Sequence, residues 1–231
     1  MSKVVFDIET IGYDFDKDLD DTQREYLLKF AKTEDEIAAV KEGLGLYPLS
    51  GKIVTIAMYN CDSGKGVVYY DPGAGVEKPT DLDEEGAKYI ACDEKEILEK
   101  FWETIKKFEI YITFNGRSFD IPFIRIRSAI LGIPCSIELM TPKFKSGYKL
   151  NPHIDLLEEL TFQGATKKFN LDFYTRAFGI KSPKESVNGH EVPNMIKEGR
   201  GLDVAKYCYG DVVATAELFD KWNKSFRMQG C

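Results

Sequence analysis

Four acids and a tyrosine stand where a fold could gather them. The run Lys3-Val4-Val5-Phe6-Asp7-Ile8-Glu9 alternates so that Val5, Asp7 and Glu9 share one face of a strand and Val4, Phe6 and Ile8 the other. Carboxylates that interrupt an apolar strand are costly unless something positive compensates them, and a metal would do so. Asp120 falls in the first turn of a predicted helix that begins directly after a strand, where the backbone favours a negative group. Asp211 lies in the last predicted helix, with Tyr207 four residues earlier on the same face, placed to orient a water on a metal. Magnesium and manganese prefer oxygen ligands of this kind. Two such cations roughly 3.5 to 4 Å apart supply what phosphodiester hydrolysis needs: an attacking hydroxide and relief of charge on the phosphate. Each group also has a simpler explanation. Asp-x-Glu suits an edge strand with a solvated face, Asp120 suits a helix cap, and Asp211 suits an amphipathic face shared with Val204, Val212 and Leu218.

Other residues carry weaker signals. Lys143-Phe144-Lys145, Tyr148 and Lys149 interleave basic and aromatic side chains, as a single strand would require, or form a solvated loop. Lys167 and Lys168 precede a predicted helix start at Asn170 and could touch phosphate. Asp155 and Glu158 have the spacing of a capping box. His153 and His190 lack partners at ligand spacing, and Trp102 and Trp222 sit on apolar helix faces as core residues do.

The elements that must position the acids follow from pattern. Residues from about 17 to 43 are acidic and helix-favouring, with an apolar stripe of Tyr26, Leu27, Phe30, Ile37 and Val40. Ile53 to Tyr59 and Val67 to Tyr70 read as a hairpin turning at Asp62-Ser63-Gly64, and 71 to 85 as a surface loop. A helix is expected over 94–108, a strand over 110–114 and a helix over 119–131, with Pro122 in its first turn and Gly132 at its end. A short apolar segment ends at Asp155; helices follow near 156–162, 171–178 and 202–226. Strands, then alternating helix and strand, then helices predict an α/β fold of three layers with a mixed central sheet flanked by helices.

Composition sets outer limits. The 231 residues suit one well-buried domain, 43% of them are apolar, and the formal net charge is −7. That charge does not suit a protein held on DNA by basic phosphate contacts, but an enzyme gripping only a strand end through metals needs few lysines. The five cysteines form no CxxC pair or framework, so reduced thiols are expected rather than a zinc site or a disulfide scaffold. Without a leader pattern or a membrane-length apolar run, the expected location is cytoplasmic, with no membrane partner.

Three segments carry a resemblance. Phe6-Asp7-Ile8-Glu9-Thr10, Asn115-Gly116-Arg117-Ser118-Phe119-Asp120 and Tyr207-Cys208-Tyr209-Gly210-Asp211 resemble, in order, the three exonuclease motifs of the DEDD superfamily. The Asn-x-x-x-Phe-Asp form and the Tyr-x-x-x-Asp ending look most like the proofreading exonuclease domain of B-family DNA polymerases, of which a free-standing relative is expected. The likeness spans Val4 to Thr215 and implies a ribonuclease H-like fold over 1–231, with a helical insertion at about 12–50. It implies a 3′-5′ exonuclease acting on the 3′ end of single-stranded nucleic acid, DNA favoured and RNA possible, through two divalent cations, Mg²⁺ or Mn²⁺. By the same resemblance Asp7 bridges both metals, Glu9 and Asp211 complete the nucleophile-side site, and Asp120 serves the leaving-group metal. Tyr207 orients the water, Asn115 and Phe119 contact the terminal nucleotides, and Thr10 and Ile11 line the pocket for the 3′ end. A histidine subclass places His five residues before the last Asp; Lys206 stands there, which indicates the tyrosine subclass. The alternative is a non-catalytic ribonuclease H-like module that binds nucleic-acid ends or a replication partner.

Overall fold

The computed structural model describes residues 1–140, 152–181 and 189–226. The Lys143 to Lys149 segment therefore lies outside the described residues. Strand β1 (Lys3–Gly12) carries the first two acids, and it is no edge strand. It runs antiparallel to β2 (Gly51–Asn60) on one side and parallel to β6 (Ile110–Thr113) on the other. With β3 (Lys65–Tyr70), β4 (Leu82–Glu84), β5 (Ala87–Ala91) and β7 (His153–Asp155) it builds a seven-stranded mixed sheet in the order β4-β5-β3-β2-β1-β6-β7. The predicted β2–β3 hairpin forms, and Gly64 takes the left-handed conformation its turn demands, at φ +67°.

The alternation of β1 decides which layer each residue meets. Val4, Phe6 and Ile8 pack with α3 (Glu94–Ile105) and α4 (Asp120–Ile130), against Ile97, Leu98, Phe101, Ile121 and Phe123. Val5 faces the opposite layer, where the long α8 (Gly201–Ser225) buries Cys208, Val212 and Phe219. This is the expected three-layer α/β fold. Helix α3 owes its shape to Ile97, Leu98, Phe101, Trp102 and Ile105, all buried, and starts with Asp93 accepting from Glu96 N–H in a capping box. Both tryptophans are core residues, and Trp102 donates to Ser128 Oγ at 2.9 Å.

Between β1 and β2 the acidic, helix-favouring stretch forms two helices. α1 (Asp21–Leu28) and α2 (Glu34–Glu42) each begin at a capping box, from Asp20 to Gln23 and from Thr33 to Glu36. The excursion leaves and rejoins the sheet at Gly12 and Gly51, which pair with each other. A Cβ on Gly12 would lie 2.7 Å from Leu44 Cβ, so glycine lets the returning 3₁₀ turn, Gly43–Leu46, pack on β1. The shorter helices α5 (Leu156–Leu160), α6 (Leu171–Ala177) and α7 (Val192–Lys197) complete the described elements.

The loop expected over 71–85 ends early. Leu82–Glu84 pairs with Ala87–Ala91, which in turn runs parallel to β3. Glu85 and Gly86 link the two strands with φ of +52° and +80°. Consecutive positive values are those of a tight hairpin turn.

Candidate active site

Asp7 and Glu9 face α8, opposite Ala57 and Thr55 of β2. Beyond Glu9 the register slips, so that Thr10 pairs with Ile53. A bulge of this kind twists and re-aims a strand, here where its acids end. Thr10 Oγ1 donates to the Gly45 carbonyl at 2.7 Å and ties β1 to the returning turn. Ile11 packs in the cluster that contains Val54, Met195 and Tyr207.

Asp120 is the first residue of α4, reached by a turn from the end of β6. Asn115 sits in the left-handed region at φ +65°, which asparagine tolerates better than most residues. Gly116 follows because a Cβ there would come within 2.5 Å of Thr113 Cβ. The N–H groups of Asn115 and Arg117 both donate to the Asp155 carboxylate at 2.9 Å. Asp155 also caps α5, accepting from Leu157 N–H at 3.0 Å, while Glu158 pairs with Arg117 at 3.1 Å. The capping expected of Asp155 is thus half of its work; the other half locks the turn that delivers Asp120. Phe119 packs against Phe123, with ring centroids 5.6 Å apart.

Helix α8 crosses over β1 and brings Tyr207, Cys208 and Asp211 to the acid pair. All three are buried. Cys208 Sγ lies 3.6 Å from the Asp7 carbonyl oxygen and 3.8 Å from Asp7 Oδ2. The Tyr207 hydroxyl shares a hydrogen bond with Asp211 and lies in the field of Glu9 and Asp7.

The electrostatics are those of a site awaiting positive charge. Burial pushes the Asp7 carboxyl well above its usual range, and the charges of Asp120, Asp211 and Glu9 push it further. Asp120 is raised as well, first by burial and then by Asp155, against its own backbone N–H and a hydrogen bond to Asp7. Asp120 Oδ1 is buried without a hydrogen-bond partner. A hard divalent cation fits this donor set, because it offers carboxylate oxygens and an orphaned one among them. Tyr207 is held as the neutral phenol by burial and by Asp211, Glu9 and Asp7. Cys208 is likewise kept protonated, by burial first and then by Asp7, so it makes a floor under Asp7 rather than a ligand for a hard ion.

Residues 52–228 match the model of a family described as "Predicted 3'-5' exonuclease related to the exonuclease domain of PolB". The chain belongs to this family. The DNA polymerase of Pyrococcus glycovorans is 32% identical over 161 residues, covering 59% of this chain and 20% of the polymerase. That of Desulfurococcus sp. (strain Tok) is 30% identical over 161 residues, covering 59% and 21%. The family B DNA polymerase from the hyperthermophilic archaeon Pyrobaculum calidifontis has a similar fold, with a TM-score of 0.60 at 19% identity over 96% of this chain and 24% of that one. The chain spans about a fifth of the length of the polymerases it matches. Its fold is therefore the ribonuclease H-like one of such exonuclease domains.

Lys206, in the histidine-subclass position, pairs with Glu84 Oε2 at 2.6 Å on β4. His153 is buried and bonded to Thr113 Oγ1 at 2.8 Å, and His190 is exposed in a 3₁₀ turn. The four described cysteines other than the terminal one are free thiols. Among the described residues no helix is long and apolar enough to cross a membrane. Two contributors escape the sequence reading. Cys208 was legible in principle, standing three residues before Asp211 on the same helix face. The hold of Asp155 on the Asn115 turn was not, because its partners lie 38 and 40 residues away.

Proposed function

We propose that this protein is a metal-dependent 3′-5′ exonuclease of the tyrosine subclass, trimming the 3′ end of single-stranded nucleic acid, with DNA favoured over RNA. The observation that carries the reading is the gathering of Asp120, Asp211 and Glu9 around Asp7 from one strand and two helices, close enough that each raises its pKa, with Asp120 and Asp211 buried, Asp7 and Glu9 half-buried, and Asp120 Oδ1 left unpaired. Those four residues would hold two divalent cations, Mg²⁺ or Mn²⁺. When bound, the cations supply an activated hydroxide and neutralise charge at the phosphate.

The chain's own groups have distinct tasks in this reading. Tyr207, as a neutral phenol beside Asp211, donates a hydrogen bond that orients the attacking water. Asn115 and Phe119, flanking the turn before Asp120, contact the terminal nucleotides. Thr10 and Ile11, beyond the β1 bulge, line the pocket for the terminal sugar. Residues 1–231 act as one domain, with the 12–50 insertion carried on the β1–β2 edge of the site.

Incubating the protein with end-labelled single-stranded DNA and RNA, with Mg²⁺, with Mn²⁺ and with chelator, tests the reading. Stepwise release of mononucleotides from the 3′ end only when metal is present supports it. Internal fragments, or no trimming of any substrate, would sink it.

A further inference from the structure

A run of aromatic rings leads from the end of β6 out into solvent. On β6, Ile110 and Ile112 face the α8 layer, and the half-buried Phe114 continues that face. Val5 of β1 pairs with Ile112, the last residue of β6 paired with β1, and Phe114 follows two residues beyond it on the same face, as Asp7 follows Val5. Phe114 packs edge-on against Tyr174 of α6, centroids 5.7 Å apart, and Tyr174 against Phe169 at 6.4 Å. Phe169 then stacks nearly parallel on Phe173, 4.3 Å apart with 13° between planes. Phe173 is 55% exposed.

The charge around the outer rings is positive. Lys167 Nζ lies 5.1 Å from the Phe169 ring centroid, and both Lys167 and Lys168 are exposed. Among the described residues neither lysine makes an ion pair. The acid on this helix, Asp172, is neutralised by Arg176, whose Nε meets both of its carboxylate oxygens at 3.0 Å. In a chain of net charge −7, this is a local basic patch laid against flat apolar rings. A stacked pair with Phe173 exposed and Phe169 half-buried gains little from the core of its own chain. Rings beside lysines suit unpaired bases and the phosphates that join them.

We propose that Phe169 and Phe173, with Lys167 and Lys168, form the lane along which a single strand of nucleic acid runs toward its 3′ end at Asp7. Bases stack on the rings, the lysines meet phosphates, and Tyr174 and Phe114 lead inward to the Asn115 turn. The placement of the 3′ end rests on the exonuclease reading; the binding lane itself does not. Because every base has a flat face, the lane is tolerant of sequence.

Binding can be read without hydrolysis, using the full chain in chelator and the fluorescence anisotropy of a 5′-labelled 12-mer of deoxythymidylate. Phe173→Ala is expected to raise Kd by about 10-fold, the scale of one lost base stack. The double variant Lys167→Gln/Lys168→Gln is expected to weaken binding and to reduce the slope of log K against log salt by roughly 1.4, the share of two phosphates on a single strand. Both sites are exposed, so unchanged melting temperatures are expected. Kd values within twofold of the parent for both variants, an unchanged salt slope, or no measurable binding by the parent would overturn the lane. Trimming assays in Mn²⁺ keep the two readings apart. Loss of all trimming with lane binding intact defeats the exonuclease reading alone, whereas normal trimming with unaltered binding in both variants defeats the lane alone.

Discussion

Carboxyls crowded together repel each other until a cation joins them, and that tension makes the residue-scale account testable. Asp7 feels Asp120, Asp211 and Glu9 together, each raising its pKa beyond the effect of burial. Asp7→Asn removes one of the repelling groups and keeps its shape. In chelator the variant is expected to melt at the parent's temperature or above it, while the rise in Tm that Mn²⁺ gives the parent is lost. Its turnover should fall by at least about 10²- to 10³-fold, the scale of removing an electrostatic group from a water-poor site. A sharp drop of Tm in chelator would contradict the repulsion argument. Tyr207 is a neutral donor, so Tyr207→Phe misplaces a water without dismantling the metal site. Single-turnover kinetics should show a loss of about 100-fold or less. A loss as complete as that of Asp7→Asn would assign the phenol a larger part.

At the scale of elements, the site depends on one turn and its clamp. The Asp155 carboxylate accepts N–H groups from Asn115, Arg117 and Leu157, and so links the turn before α4 to the start of α5. Asp155→Ala should cost about 3 kcal/mol in urea unfolding, the scale of leaving buried donors unpaired, and should lower kcat by loosening the turn that delivers Asp120. Asp155→Asn, which keeps an acceptor, is expected to restore much of both. Unaltered stability in the alanine variant would remove the clamp from the account. What was readable in sequence was whatever a period could reveal. The face of β1 that bears Asp7 and Glu9, the buried stripe of α3 and the stacking of Tyr207 above Asp211 in α8 all follow from spacing alone. Strands β4 and β5 escaped because Ala87 and Lys88 have weak strand propensity; β5 is held by its pairing with β3, and β4 by its pairing with β5. Where the helix-favouring stretch would divide was not readable; the capping box at Thr33 starts its second helix.

For the whole molecule, the order of the sheet gathers the acids, and no single segment could have shown that. Placing β6 beside β1 sets the Asn115 turn next to Asp7, and α8 crossing the same face adds Asp211. The sequence offered each acid with a rival explanation, and only this topology, together with the family match, removes the edge-strand one. Stability of the whole should carry a mark of the buried His153. Burial and the Arg117 guanidinium push its imidazole down from 6.5 to about 3. The unfolded chain therefore binds the proton more readily, so stability is full above pH 6.5 and is lost as pH falls from there toward 3. Between pH 7 and pH 4 the loss is about 3 kcal/mol. Urea unfolding across pH 4 to 7 should be flatter in His153→Gln by about that amount; equal slopes would mean the imidazole is not held neutral. The central claim is tested most directly on a denaturing gel of a 5′-labelled single-stranded DNA incubated with the parent protein and with Asp7→Asn. The account predicts a ladder shortening one nucleotide at a time from the 3′ end with Mg²⁺ or Mn²⁺, and intact substrate with chelator or with the variant. Trimming that persists in chelator, or an equal ladder from Asp7→Asn, would contradict it.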